Sequence, residues 1–236
     1  MFVQKKLRRV TADEYYRNYY NKVLTSSKVR FFARITHKSL EAGIKCQENQ
    51  SNIKILEIGA GHGEHRSYVK HNYSEYWETD IRVNSILDKY SKENKDYRVR
   101  VVELDANNLD SIPTQFFDRV ILTCVLVHLE NPIQTLQELK RIVRKGGTIS
   151  MYIPCEPGIF LRIARYVTTV QTAKKLGVDH LHFHYLEHKF HYLYIKYAIN
   201  EVFSGYKVKR IRWPFPFLSW GCNLWEVVQI HYLKDI

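Results

Sequence analysis

Glycine and proline are scarce in this chain of 236 residues, at 10 and 6. That excludes a collagen-like repeat and a Gly/Pro-rich disordered composition. Long apolar runs are missing as well. The longest stretch without a charge, residues 213–225, falls well short of the ~18 apolar residues that a membrane-spanning helix needs. The amino-terminal MFVQKKLRRVTADEYY is basic, but no apolar segment follows it, so no secretory signal is expected. Cysteine is limited to Cys46, Cys124, Cys155 and Cys222, far apart and at no metal or redox spacing. Free thiols in a reducing cytosol are the expectation. Acids are outnumbered, 24 against 36 Lys and Arg, for a net charge of +12. That balance favours an anionic partner: a nucleic acid, an acidic membrane surface or a phosphorylated small molecule. The densest basic groups are Lys5, Lys6, Arg8, Arg9 and Lys207, Lys209, Arg210, Arg212. No zinc-finger or RNP-type motif stands beside them. A plain solvated basic surface is the competing reading.

Hydrophobic residues make up 45% of the chain, too many for disorder. A body of this length hides roughly 70% of its unfolded surface. Thr11 and Glu14 form a capping box ahead of a helix that carries Tyr15, Tyr16, Tyr19 and Tyr20. A second helix is predicted over 27–43, with Val29, Phe32, Ala33, Ile35 and Leu40 as its apolar positions. From Ile53 strands and helices alternate. IKILEI, EYWETD, YRVRVVELDA, FFDRVILTCV and TISMYIP read as strands. HRSYVKH, IRVNSILDKYSK and NPIQTLQELKRIVRK read as the intervening helices, the last ended by Gly146 and Gly147. This alternation predicts an α/β fold with a doubly wound, mostly parallel sheet. After Pro154 the rhythm breaks. Two helical stretches flank the loop DHLHFHYLEH, and two closing strands predict an antiparallel hairpin.

In open α/β sheets ligands bind at the carboxyl ends of the strands. LEIGAGHG places Glu57 at the end of the first strand, followed by Gly59, Gly61 and Gly63. Glycines there let the chain turn sharply and let a ligand approach the backbone. The third glycine sits one residue early for a G-x-G-x-x-G pyrophosphate cradle. The turn therefore suits an uncharged or cationic ligand better than a diphosphate. Asp80 ends the second strand about 20 residues after the first glycine, the place for gripping a ribose diol. Asp105, after the third strand, can accept from an adenine amine, with the N–H of Ala106 facing a ring nitrogen.

LEIGAGHG, ETD, ELDA and VLVHLENP, each at the end of a predicted strand, together resemble a class I S-adenosylmethionine-dependent methyltransferase. The resemblance covers residues 50–236 and implies a seven-stranded sheet of order 3-2-1-4-5-7-6. It also implies S-adenosylmethionine as cofactor. Gly59, Ala60, Gly61 and Gly63 would lie near its amino-acid part, Asp80 and Ile81 at the ribose, and Asp105 and Ala106 at the adenine. Thr123 would line the same site, and Glu57 would support the methionine amino group or the turn itself. The expected layout is one domain: a helical cap over 1–50, a cofactor core over 51–154, a substrate cover over 155–204 and a strand hairpin over 205–236.

VLVHLENP is similar to a stretch of the family's small-molecule branch, which puts His128 near the active-site mouth as a candidate base. A histidine that merely caps the next helix is the alternative. Related ubiquinone-pathway O-methyltransferases carry metal-holding glutamates where this chain has Cys124 and Val127, so no metal is expected. The amino-methyltransferase motif N/D-P-P-Y/F is missing after the fourth strand, which places nucleic acid behind a small molecule as acceptor. In the His-rich loop, His180, His182 and His184 would share a face if the chain were extended. Three readings stand: a metal cluster, surface histidines, or a lid contributing substrate contacts from His184 and His188 with Tyr152 opposite.

The implied activity is methyl transfer to a small molecule, with O-methylation of a sugar or of a phosphorylated or lipid-linked glycan as the narrow expectation. An RNA methyltransferase and a non-catalytic cofactor-binding scaffold are the rivals. The expected location is the cytoplasm, with peripheral contact at the inner face of a membrane left open. The uncharged, aromatic WPFPFLSW next to basic residues 207–212 is the segment that would make such a contact.

Overall fold

The computed structural model describes residues 7–24, 26–44, 52–84 and 96–232. Seven strands form one sheet: β1 (Lys54–Ile58), β2 (Glu75–Asp80), β3 (Val99–Glu103), β4 (Phe117–Thr123), β5 (Val143–Pro154), β6 (Lys207–Trp213) and β7 (Trp225–His231). Their order is β3-β2-β1-β4-β5-β7-β6. The first five run parallel, and β7 pairs antiparallel with both β5 and β6. The chain therefore has the doubly wound α/β fold with a closing hairpin.

β4 is central and covered on both faces, which is why it reads as an unbroken apolar run. Val120 and Leu122 join the main core with Leu136, Leu139 and Ile142 of α4 (Pro132–Ile142) and Ile195 and Ile199 of α8 (Tyr192–Val202). α4 begins as its sequence dictates. Asn131 caps it, its side chain accepting from Gln134 N at 3.1 Å, and Pro132 takes the first turn, where no N–H is needed.

The other face is covered by α3 (Ser27–Glu41), which is fixed to the sheet by charge as well as packing. Arg119 of β4, buried, donates to both carboxylate oxygens of Glu41, at 2.9 and 2.5 Å. His65 Nε2 reaches the same carboxylate at 2.9 Å, and His65 Nδ1 lies 2.9 Å from His37 Nδ1. Burial alone would raise the Glu41 carboxyl. The bonds from His65 and Arg119 outweigh it and hold the group at about 2. Gln229 of β7 closes the end of α3 by donating to Leu40 O and Ala42 O.

Three sequence expectations change. Gly146 and Gly147 do not end a helix. α4 stops at Ile142 and the chain is already extended at Val143, so both glycines lie within β5. A β-carbon on Gly147 would stand 2.6 Å from Asp118 O, close to the register shift between β4 and β5, and that close approach is what a glycine permits. HRSYVKH forms only a short 3-10 turn, His65–Tyr68. The His-rich segment is a helix, α7 (His180–Glu187), capped by Asp179, which accepts from His182 N at 3.2 Å. An extended strand would align His180, His182 and His184. The helix instead aligns His180 and His184. The remainder of the cover is also helical: α5 (Ile159–Arg165), a wider π turn over Tyr166–Val170, and α6 (Gln171–Lys175). Most of the helix predicted over 81–92, with Ile86 and Leu87, lies outside the described residues, as do Lys5, Lys6 and Cys46. Among the described residues Cys124, Cys155 and Cys222 are free thiols.

The amino-terminal cap consists of α1 (Ala12–Tyr15), a π turn over Tyr16–Tyr20 and α2 (Asn21–Leu24). Thr11 accepts from Glu14 N at 3.2 Å, the first half of the capping box, while the Glu14 carboxylate turns to Arg8. The cap packs on the cover. Tyr15 stacks on Phe183, and its hydroxyl lies 2.8 Å from His180 Nδ1.

Candidate functional site

The glycine turn leaves β1 at the carboxyl edge of the sheet. Gly59, Gly61 and Gly63 have φ of +70°, +60° and +64°, the left-handed region that side chains resist. Their surroundings differ. A β-carbon on Gly59 would meet Val125 Cγ2 at 2.4 Å, so this glycine lets the loop after β4 close in. A β-carbon on Gly61 would meet nothing within 4 Å; its side faces open space. Ala60 N donates to Thr79 O, which ties the turn to β2.

Asp80 ends β2 beside this turn. One carboxylate oxygen accepts from Gly61 N and the other from Arg82 N, both at 2.9 Å. A carboxylate has about four acceptor positions, and among the described residues two of them are used. Ile81 is exposed next to it, and the Arg82 guanidinium lies 4.4 Å from the Tyr16 ring centre. Tyr20 lies against His62 of the glycine turn. Two of the four cap tyrosines thus stand over the mouth, while Tyr15 is buried against the cover. Glu57 sits underneath. It is buried, and its carboxylate accepts from Tyr76 OH at 2.6 Å. This bond ties the end of β1 to β2 beneath the turn.

Asp105 is exposed and accepts from both the backbone and side-chain N–H groups of Asn107, at 2.9 Å. Asn107 Oδ1 in turn accepts from Glu130 N at 3.0 Å, which joins the loop after β3 to the loop after β4. Ala106 is buried, its carbonyl held by the Thr135 hydroxyl at 3.1 Å.

Beyond β4 the chain takes an uncommon conformation: Cys124 has φ +61°. Strained non-glycine residues of this kind concentrate at functional sites. Burial, and then the charge of Glu156, push its thiol up to about 12, so it remains a neutral thiol. His128 Nδ1 lies 3.1 Å from Glu187 O. A carbonyl only accepts, so Nδ1 carries the proton and Nε2 is left as an acceptor. Burial, followed by the neighbouring His188, lowers this imidazole to about 4. It is neutral at physiological pH.

Glu156, which sequence reasoning passed over, is the hub of this wall. His188 Nδ1 donates to one oxygen at 2.8 Å, His184 Nε2 lies 2.9 Å from the other, and Arg165 pairs with the same carboxylate. Burial alone would raise the Glu156 carboxyl. The two histidines and the Arg165 charge overcome this and hold it far below the usual carboxylate range. His184 itself, mainly through burial, is lowered to about 4. Two signals in the sequence pointed here: Glu156 follows the end of β5, the ligand-bearing edge, and His180, His184 and His188 recur at the helical spacing of four.

Next to Arg165 lies a cavity of about 260 Å³ between α3, α5 and the end of β7. Val29, Phe32, Leu161 and Trp225 give it apolar walls, and Thr123, Tyr152 and Arg165 supply polar atoms. Thr123 Oγ1 is buried with no hydrogen-bond partner among the described residues. A larger depression of about 470 Å³, lined by Lys54, Arg98, Arg100 and Arg144, lies at the opposite edge, where the strands begin.

Residues 56–151 match the family model of the methyltransferase domain. These residues carry a methyltransferase domain. S-adenosylmethionine is the cofactor of that domain. No curated protein matches the chain. Several solved structures are similar in fold. The CurJ carbon methyltransferase is 18% identical with a TM-score of 0.61, covering 89% of this chain and 56% of its own. An S-adenosylmethionine-dependent methyltransferase from Mesorhizobium loti is 17% identical with a TM-score of 0.56, covering 82% and 95%. The [4+2]-cyclase SpnF is 12% identical with a TM-score of 0.60, covering 89% and 84%. The chain thus spans about half the length of the CurJ protein. At these identities the likeness is one of fold, and the site's own residues must carry the chemistry.

Proposed function

We propose that this methyltransferase domain methylates a hydroxyl of an amphiphilic, anionic acceptor, such as a phosphorylated or lipid-linked sugar. The cavity beside Arg165 carries the reading. Its apolar walls suit a chain or ring face, and Arg165 gives a phosphate or carboxylate a partner at one end. Thr123 and Tyr152 offer hydrogen bonds to sugar hydroxyls.

The cofactor fits the turn. Asp80 would hold the ribose, and the open side of Gly61 would give the amino-acid part backbone contact. Asp105 and Ala106 would take the adenine. Ile81 and Thr123 flank the site. When bound, S-adenosylmethionine supplies a methyl group on a sulfonium. His128 Nε2 takes the hydroxyl proton as the new carbon–oxygen bond forms. General bases of this sort contribute typically 10²–10⁴-fold. His184 and His188, held by Glu156, orient the acceptor, since positioning dominates an in-line displacement.

The test is incubation of the purified protein with methyl-labelled S-adenosylmethionine and three acceptor pools: lipid-linked glycans, water-soluble sugar phosphates and RNA. Alkali-stable, ether-linked label in either glycan pool supports the reading. Label only in RNA, or only on acceptor carbon, would overturn it.

A further inference from the structure

Helix α5 carries apolar residues on both of its faces. Leu161 and Ala164 turn inward to the cluster around Trp225. Ile159, Phe160 and Ile163 turn outward, with Ile159 and Ile163 65% and 57% exposed, and Val167 of the following turn continues the outward row. A helix that is apolar all round is ordinarily covered on every side. The outward row continues onto a second element. Phe160 packs edge-on against Phe215 in the loop between β6 and β7, and Phe217 beyond it is 81% exposed. On α3, at the other lip of the cavity, Phe31 is exposed as well.

The charge around these residues has one sign. Residues 157–178 contain no acid, nor do residues 202–225, and the only acid of α3 is Glu41. Glu41, Glu156 and Glu226 are turned inward and bound by Arg119, Arg165 and Arg210. Lys28, Arg30, Arg34 and Lys38 of α3 and Arg162 of α5 are exposed. Apolar side chains ringed by cations, without acids, match a bilayer surface with anionic headgroups, where each nearby Lys or Arg adds attraction. An acidic protein partner would match the charge but gives no use to isolated, protruding Ile163 and Phe217 side chains. All three segments border the cavity beside Arg165.

We propose that this face docks on an anionic membrane surface and opens the acceptor cavity toward it, so that the acceptor is taken from the lipid phase. The proposal rests on the acceptor class proposed above, and vesicle binding is read separately from methyl transfer so that the two can fail independently. The full chain is sedimented with vesicles of phosphatidylcholine alone and with vesicles that also contain phosphatidylglycerol. Binding to the anionic vesicles only, weakened by salt, is expected. Ile163→Asp with Phe217→Asp should reduce it by about tenfold or more, while S-adenosylmethionine affinity is unchanged. Both positions are exposed, so folding is not at stake, and far-ultraviolet circular dichroism checks it. No binding to anionic vesicles, equal binding by variant and parent, or retention by single-stranded RNA in preference to vesicles would each overturn the proposal. Methyl transfer to a glycan by a parent chain that does not bind anionic vesicles would sink this inference alone. Vesicle binding without any methyl transfer would sink the acceptor reading alone.

Discussion

Asp80 accepts the backbone N–H of Gly61 at 2.9 Å. The acid proposed to hold the ribose therefore also fixes the shape of the glycine turn. Asp80→Ala loses both roles, and cofactor affinity should fall by about 2–4 kcal/mol, as for charge-assisted hydrogen bonds removed together. Asp80→Asn keeps an acceptor for Gly61 N and should lose less. Calorimetric titration with S-adenosylmethionine reads both. Equal affinity in Asp80→Ala and the parent would show that the ribose lies elsewhere.

His37, His128, His180 and His184 are lowered to about 4, 4, 3 and 4, with burial the first cause in each. Between those values and about 6.5 the unfolded chain binds more protons than the folded one, so stability rises with pH across this window. It is complete above the unfolded value and lost as acid is added toward pH 4. Each histidine contributes up to about 1.4 kcal/mol per pH unit. The depressed carboxyls of Glu41 and Glu156 act in a lower window, below about 4.3. Melting temperature should therefore fall steeply between about pH 6.5 and pH 5, and His37→Gln should flatten the slope. A melting temperature that is constant over that range would refute the assignment of neutral buried imidazoles.

The buried Arg119–Glu41 pair anchors α3, one wall of the cavity beside Arg165. Arg119→Met should cost about 3–5 kcal/mol in urea unfolding, because it strands a buried carboxylate. Removing both partners, Arg119→Met with Glu41→Leu, should recover a large part. If the double variant is no better than the single, the cost lies in packing and not in the stranded charge.

Activity should be unaffected by chelators. The side chains that come together as a ligand set are Glu156, His184 and His188; His188 already bonds Glu156, and the Arg165 cation at the same carboxylate opposes a second positive charge. Activity lost to a chelator and restored by Zn²⁺ would make these residues ligands.

The strand positions, the glycine turn and the acids at the strand ends were legible because their signals are local. Apolar runs, glycines and strand-terminal acids lie within a few residues of one another, and the parallel topology follows from their alternation. Glu156 was not legible, because its role depends on α7 and α5, which converge on it from distant parts of the chain. The histidine segment misled for a related reason. Read as a loop, its alternate positions matter; folded as a helix, every fourth one does, and only Asp179 as a cap marked the difference. Gly146 and Gly147 looked like a helix stop, yet the close approach of Asp118 O, a tertiary feature, is what requires a glycine there.

Binding of S-adenosylmethionine to the parent chain and to Gly61→Val is the most direct measurement of the central claim. The Gly61 position is open in the structure, so a valine strains the turn through its φ and fills the ligand's side without striking the core. Saturable binding by the parent, and none detectable by a variant that still melts cooperatively, is the predicted result. A parent that does not bind, or a folded Gly61→Val that binds equally well, would contradict it.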